Sequence, residues 1–148
     1  MSKQYLNFVQ KSFKYLIFLL FVSNLDASRD IDITKYLSEI EIVSKYEDRK
    51  KGLMYRTSIP NNYGMLFVWP YEGQQCMWMK NTYVPLSVAY MDIRGKIIEI
   101  YDMVPFSKDS VCSTKAAKYA LEVNSGWFEE KGINIGDSIE VKKLFSND

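Results

Sequence analysis

Leu86-Ser-Val-Ala-Tyr-Met-Asp-Ile-Arg-Gly-Lys-Ile-Ile-Glu-Ile-Tyr101 holds two apolar-rich runs, Leu86–Asp92 and Lys96–Tyr101, joined by Ile93-Arg94-Gly95. Glycine adopts positive φ without steric cost, so the three-residue link reads as the turn of an antiparallel hairpin. Asp92 stands just before that turn, where a carboxylate accepts from loop N–H groups. Segments of the same kind recur on both sides. Ser38–Val43 alternates apolar with polar and places Ile40 and Ile42 on one strand face. Met65–Trp69, wholly apolar between Gly64 and Pro70, reads as a buried strand, and Cys76–Lys80, Tyr119–Val123 and Ser138–Leu144 read as further strands. Ser44 and Glu47 have capping-box spacing for a short helix through about Met54, whose Arg49, Lys50 and Lys51 suit a helix C-terminus. Ser125 is placed to cap a second helix, Trp127–Lys131, ending at Gly132. Residues 28–36 read as a polar lead-in and 103–117 as a long exposed loop. No βαβ spacing is evident. The expected fold is mainly β (all-β to α+β), a compact antiparallel barrel or sandwich of about six or seven short strands with two short helices, one domain over residues 38–144.

The chain of 148 residues balances 19 Lys and Arg against 18 Asp and Glu, a net charge of +1, and so lacks the basic footprint of a nucleic-acid binder. It has no histidine, which excludes Ser-His-Asp and Cys-His catalysis and every His-ligated metal site. Two cysteines cannot form a thiolate zinc cluster, so no metal or other cofactor is expected. Lys3, Lys11 and Lys14 precede the apolar run Tyr15–Val22, and the first acidic residue is Asp26. That pattern, ending near Ala27, describes a signal peptide over residues 1–27 or an uncleaved anchor. Eight apolar residues rise only about 12 Å as a helix against about 30 Å of hydrocarbon. Removing the three lysines and one aspartate leaves 16 positive and 17 negative side chains. The expected location is the periplasm or the extracellular space, with membrane contact only through the N-terminal segment. Export permits a Cys76–Cys112 disulfide, the alternative being two separate buried thiols.

Gly52-Leu-Met-Tyr-Arg56, Gly64-Met-Leu-Phe67, Trp78-Met-Lys-Asn-Thr82 with Pro85-Leu86, Asp92 with Gly95, Ala120-Leu-Glu122 with Gly126, and Gly136-Asp137 follow one another along the chain. In this set and order the chain resembles the domain of unknown function 192 family, from about residue 38 to 142. The resemblance implies a β-rich, barrel-like domain behind a signal peptide or hydrophobic segment, and it brings no established reaction. The family often carries Asp two positions after the proline of this element, where the chain has Ser87. Chemistry that needs a carboxylate there is not available.

Lys80, Asn81 and Thr82 leave an apolar strand ahead of Pro85, a place where rigid scaffolds present polar ligand contacts; capping of the turn is the plainer role for Thr82. Arg56 either clamps an anion bidentately or pairs with Glu47 or Glu122. Trp78 belongs to a set of strand and turn aromatics that either fill the core or offer a flat binding face. An inward Glu122 is costly unless it pairs with Arg56 or Lys80, and is otherwise a functional acid. Arg56, Trp78, Lys80, Asn81 and Glu122 are therefore the candidate ligand-binding residues. The expected role is binding of a small polar or anionic molecule or an envelope component. Two alternatives stay open: a hydrolase or transferase using Glu122 or Asp92 with Lys80 and Arg56, and a structural module that docks on an envelope partner.

Overall fold

A computed structural model describes residues 28–145, and the expected signal segment 1–27 lies outside the described residues. At the centre is a five-stranded sheet of β2 (Glu39–Val43), β3 (Tyr63–Gly73), β8 (Ala117–Asn124), β5 (Leu86–Met91) and β6 (Ile97–Met103), in that spatial order. β5 pairs antiparallel with both β6 and β8, and β8 antiparallel with β3. Every residue of β5 is buried, because the sheet is covered on both faces. A strand covered twice has no reason to alternate polar with apolar.

Successive side chains point to opposite faces and so sort into two cores. Tyr63, Met65 and Phe67 of β3 join Leu86, Val88 and Tyr90 of β5 on the first face, beneath Leu53, Ile59, Met77, Met79 and Val84. Leu66, Ala89, Met91, Leu121 and Val123 face the other way, against Trp127, Phe128 and Ile133 and against Ile31, Ile33, Ile139 and Val141. The fold is mainly β with packed layers, as expected. The sheet does not close into a barrel.

Several local expectations are corrected. β2 runs parallel to β3, with helix α1 (Tyr46–Lys51) between them, so a βαβ-type connection is present after all. None of the six α1 residues is buried, so there was no apolar stripe to mark the crossover. Lys45, not Ser44, is the α1 N-cap, without a side-chain bond, and the helix stops at Gly52 (φ 47°) rather than near Met54. The second helix, α2 (Trp127–Glu130), starts after Gly126 rather than Ser125. β3 continues through Pro70 to Gly73, with a register irregularity after Val68 that accommodates the proline.

The lead-in is also structured. β1 (Asp30–Ile31) pairs parallel with β9 (Ser138–Ile139), which is followed by a 3₁₀ turn, Val141–Phe145, instead of a longer strand. Arg29 and Asp137 clasp β1 to β9, Nη2 to Oδ2 at 2.6 Å, while the Asn134 N–H donates to the same carboxylate at 2.9 Å. The expected Cys76–Lys80 strand shortens to β4 (Cys76–Met77). Its partner β7 (Val111–Cys112) lies inside the segment read as a loop. Cys76 and Cys112 stand opposite each other in this antiparallel ribbon, Cα atoms 4.0 Å apart, and are joined as a disulfide. Buried Tyr90 ties the ribbon to the sheet by donating to the Val111 carbonyl at 2.6 Å.

Candidate functional site

β8 lies in the middle of the sheet, so its first-face side chains start from the deepest part of the domain. Glu122 is one of them, level with Met65 of β3 and Val88 of β5. It is 3% exposed and receives no hydrogen bond or ion pair from any described residue. Burial pushes its carboxyl up to about 8, because a low-dielectric site penalises the charged form. What Glu122 does meet is a cavity of about 400 Å³.

The cavity forms where the chain leaves α1. Gly52 brings the helix end down onto the Phe67 ring, where even a methyl group would sit 3.4 Å from Cζ. Leu53, Met54, Phe67, Trp69, Met77 and Trp78 make the walls, with buried Thr82 and the Cys76 end of the disulfide beside them. Arg49, Lys50 and Lys51 of α1 form the rim. Arg49 is pinned: Nη1 donates to the Val68 carbonyl at 3.2 Å and to that of Ser44, with the guanidinium 5.9 Å from the centre of the Trp69 ring. Lys50 and Lys51 are exposed and form no ion pair among the described residues.

Backbone strain gathers beside this cavity. Tyr55, Asn81 and Phe106 are the non-glycine residues at positive φ among those described, at 66°, 55° and 64°. They are cross-linked: Tyr55 N–H donates to the Asn81 carbonyl at 2.9 Å, Asn81 Nδ2 to the Tyr55 hydroxyl at 2.9 Å, and Phe106 N–H to the Thr82 carbonyl at 3.3 Å. Such conformations cost on the order of 1–3 kcal/mol each and persist where surrounding contacts enforce them. Here they fix the turns that carry Met54 and Thr82.

Of the candidate residues, the cavity gathers Trp78 and Glu122. Lys80 lies over the Trp78 ring at 5.1 Å, and Asn81 serves the strained turn. Arg56 pairs with neither Glu47 nor Glu122. Its Nη2 donates to Glu41 at 2.6 Å and Nη1 to the Tyr63 hydroxyl at 2.9 Å, while Tyr63 donates to the same Glu41 oxygen at 2.6 Å. Burial raises the Glu41 carboxyl, but the Tyr63 hydroxyl and the Arg56 guanidinium outweigh it and leave it below its usual range. Neither Arg56 nor Asp92 lines the cavity. Asp92 accepts from the Arg94 and Lys96 N–H groups at 2.8 and 3.0 Å, closing its hairpin. Buried Ser87, on the second face, donates to Asp102 and accepts from Gly126 N–H at 2.9 Å. Sequence reasoning weighed Thr82 and preferred its turn-capping role, and it missed the Arg49–Lys51 rim; the three-cation run was visible but reads equally well as helix-end chemistry. No group of three His, Cys, Asp or Glu side chains is placed to hold a metal among the described residues.

An open mixed sheet packed on both faces, with a lone acid on the floor of an apolar cavity, defines a small mainly β domain of sandwich type. The chain belongs to the domain of unknown function 192 family, described as an "Uncharacterized ACR", whose model matches residues 29–141. Among solved structures it is similar to a protein of Sinorhizobium meliloti 1021 described as a "putative transcription regulator", with 35% identity and a TM-score of 0.66 over 67% of this chain and 78% of that one. It is also similar to a protein of unknown function from Novosphingobium aromaticivorans DSM 12444, with 27% identity and a TM-score of 0.65 over 67% of this chain and 71% of that one. The comparison with curated proteins returned no match.

Proposed function

We propose that this is an exported, non-catalytic domain that binds a small molecule in the Glu122 cavity. One observation carries the reading: a carboxyl group 3% exposed, without a partner among the described residues, opens into a cavity of about 400 Å³. Leaving such a group without a hydrogen bond costs stability, about 1–3 kcal/mol or more, that a better-packed residue would not cost. Its volume falls in the range of ligand sites, which combine apolar walls with a few polar groups that fix orientation. Binding is favoured over two-carboxylate hydrolysis because, among the described residues, Glu122 is the one carboxylate lining the cavity. The N-terminal lysines and apolar run, and a disulfide of the kind that persists in oxidising compartments, support export. The regulator description of the Sinorhizobium meliloti relative is not carried over, since a net charge of +1 offers little for phosphate contacts.

A fragment screen read by NMR on the processed protein tests the binding reading. Hits should shift resonances of Trp78, Met77 and Leu53, and Met54→Trp, which fills the cavity, should abolish them without unfolding the domain. Fragments that bind only elsewhere, or that ignore the filled cavity, would overturn the assignment. For export, N-terminal sequencing of protein from its native envelope should find a start between Ser23 and Ser28, and a retained Met1 would make the segment an anchor.

A further inference from the structure

The floor of the Glu122 cavity accepts hydrogen bonds. Glu122 has no donor among the described residues, and the Thr82 hydroxyl directs its proton to the Lys80 carbonyl at 3.2 Å, which leaves it only lone pairs to offer. Phe67, Trp69 and Trp78 add electron-rich rings, and two of these already hold cations of the chain itself, Arg49 at 5.9 Å and Lys80 at 5.1 Å. The interior is thus built for a positively charged donor. The rim has the opposite sign, since Lys50 and Lys51 stand exposed without ion pairs among the described residues.

We infer that the cavity takes a small zwitterion, its ammonium group inward against Glu122 and its anionic group outward against Lys50 and Lys51. The inference rests on the binding reading above and adds the charge pattern of the ligand. An ammonium head also removes the reason for Glu122 to hold a proton, because an opposite charge at contact favours the carboxylate. Binding then releases that proton to solvent. The groups facing Glu122 are Tyr90 of β5, whose hydroxyl burial raises further, uncharged Met65 and Val88, and the Arg49, Lys50 and Lys51 rim. Glu122, with its carboxyl at about 8, titrates across the neutral range.

Calorimetry of the processed protein against ω-amino acids of graded chain length, with matched alkylamines, carboxylates and ω-hydroxy acids, tests this. The amino acids should bind tightest, and buffers of different ionisation heat should show proton release. Affinity should fall by up to about tenfold for each pH unit below 8. Glu122→Gln should weaken the amino acids by about tenfold or more and end the proton release. The Lys50→Ala, Lys51→Ala double variant should weaken amino acids while sparing alkylamines. Carboxylates or hydroxy acids that bind as well as amino acids, or an unchanged Glu122→Gln, would overturn the inference. If no ammonium compound enters while neutral fragments still do, the charge pattern is wrong and the binding reading survives. If neutral fragments fail as well, both fall.

Discussion

Glu122 shows what one side chain can do to a stability profile. An acid whose folded value is raised from 4.5 to about 8 binds more protons in the native state than in the unfolded one between those limits. Its contribution is therefore full below about pH 4.5 and is lost as pH rises through 8, on the order of 5 kcal/mol in all. Urea midpoints should accordingly fall from about pH 5 to about pH 9 in the native chain, and Glu122→Gln should remove most of that slope. An inward acid was legible from Ala120-Leu-Glu122, because Tyr119–Val123 is apolar except there. Its lack of a partner was not legible. Arg56 finds Glu41 because β2 lies parallel beside β3, which places Glu41 level with Met65, and nothing local in the sequence announces that pairing.

Among the elements, the hairpin around Gly95 and the buried strands were legible because their turn chemistry and apolar runs are local properties. A side chain at Gly95 (φ 84°) would begin 2.2 Å from the Ile139 carbonyl, so the glycine is required twice, by its own turn and by β9. The second requirement comes from a strand 44 positions further on and left no trace in the turn itself. Two-residue strands escape sequence reading for the same reason: β1, β4, β7 and β9 are strands only because of what lies beside them. The β4–β7 ribbon depends most on its crosslink, which spans 36 positions. Reduction, or the Cys76→Ser, Cys112→Ser double variant, should cost about 3 to 4 kcal/mol by the chain-entropy relation, measured by denaturant unfolding. Because Met77 and Trp78 are cavity walls, the same change should slacken the site before it unfolds the sheet, visible as faster amide exchange at Cys76–Trp78 than in β5.

For the whole molecule, the clasp between β1 and β9 shapes the acid side of the stability curve together with the lowered carboxyls of Glu41 and Asp92. The Arg29 guanidinium, with the Asn134 and Arg29 N–H groups, holds the Asp137 carboxyl below its ordinary 3.8 against the opposing effect of burial. A depressed acid contributes above its unfolded value and loses that contribution as pH falls through the folded one. Stability should therefore peak on the acid side of neutrality, between the losses at Asp137 and at Glu122. Asp137→Asn should lower the peak and remove part of the acid limb, leaving the alkaline limb alone; thermal unfolding across the pH range checks this. The clasp itself has a directional consequence. β1, β9 and the residues around them cover the second face of the sheet, whereas the Glu122 cavity opens from the first. A short tether joined directly ahead of Ser28 would therefore grip the domain on the face opposite the mouth of the cavity.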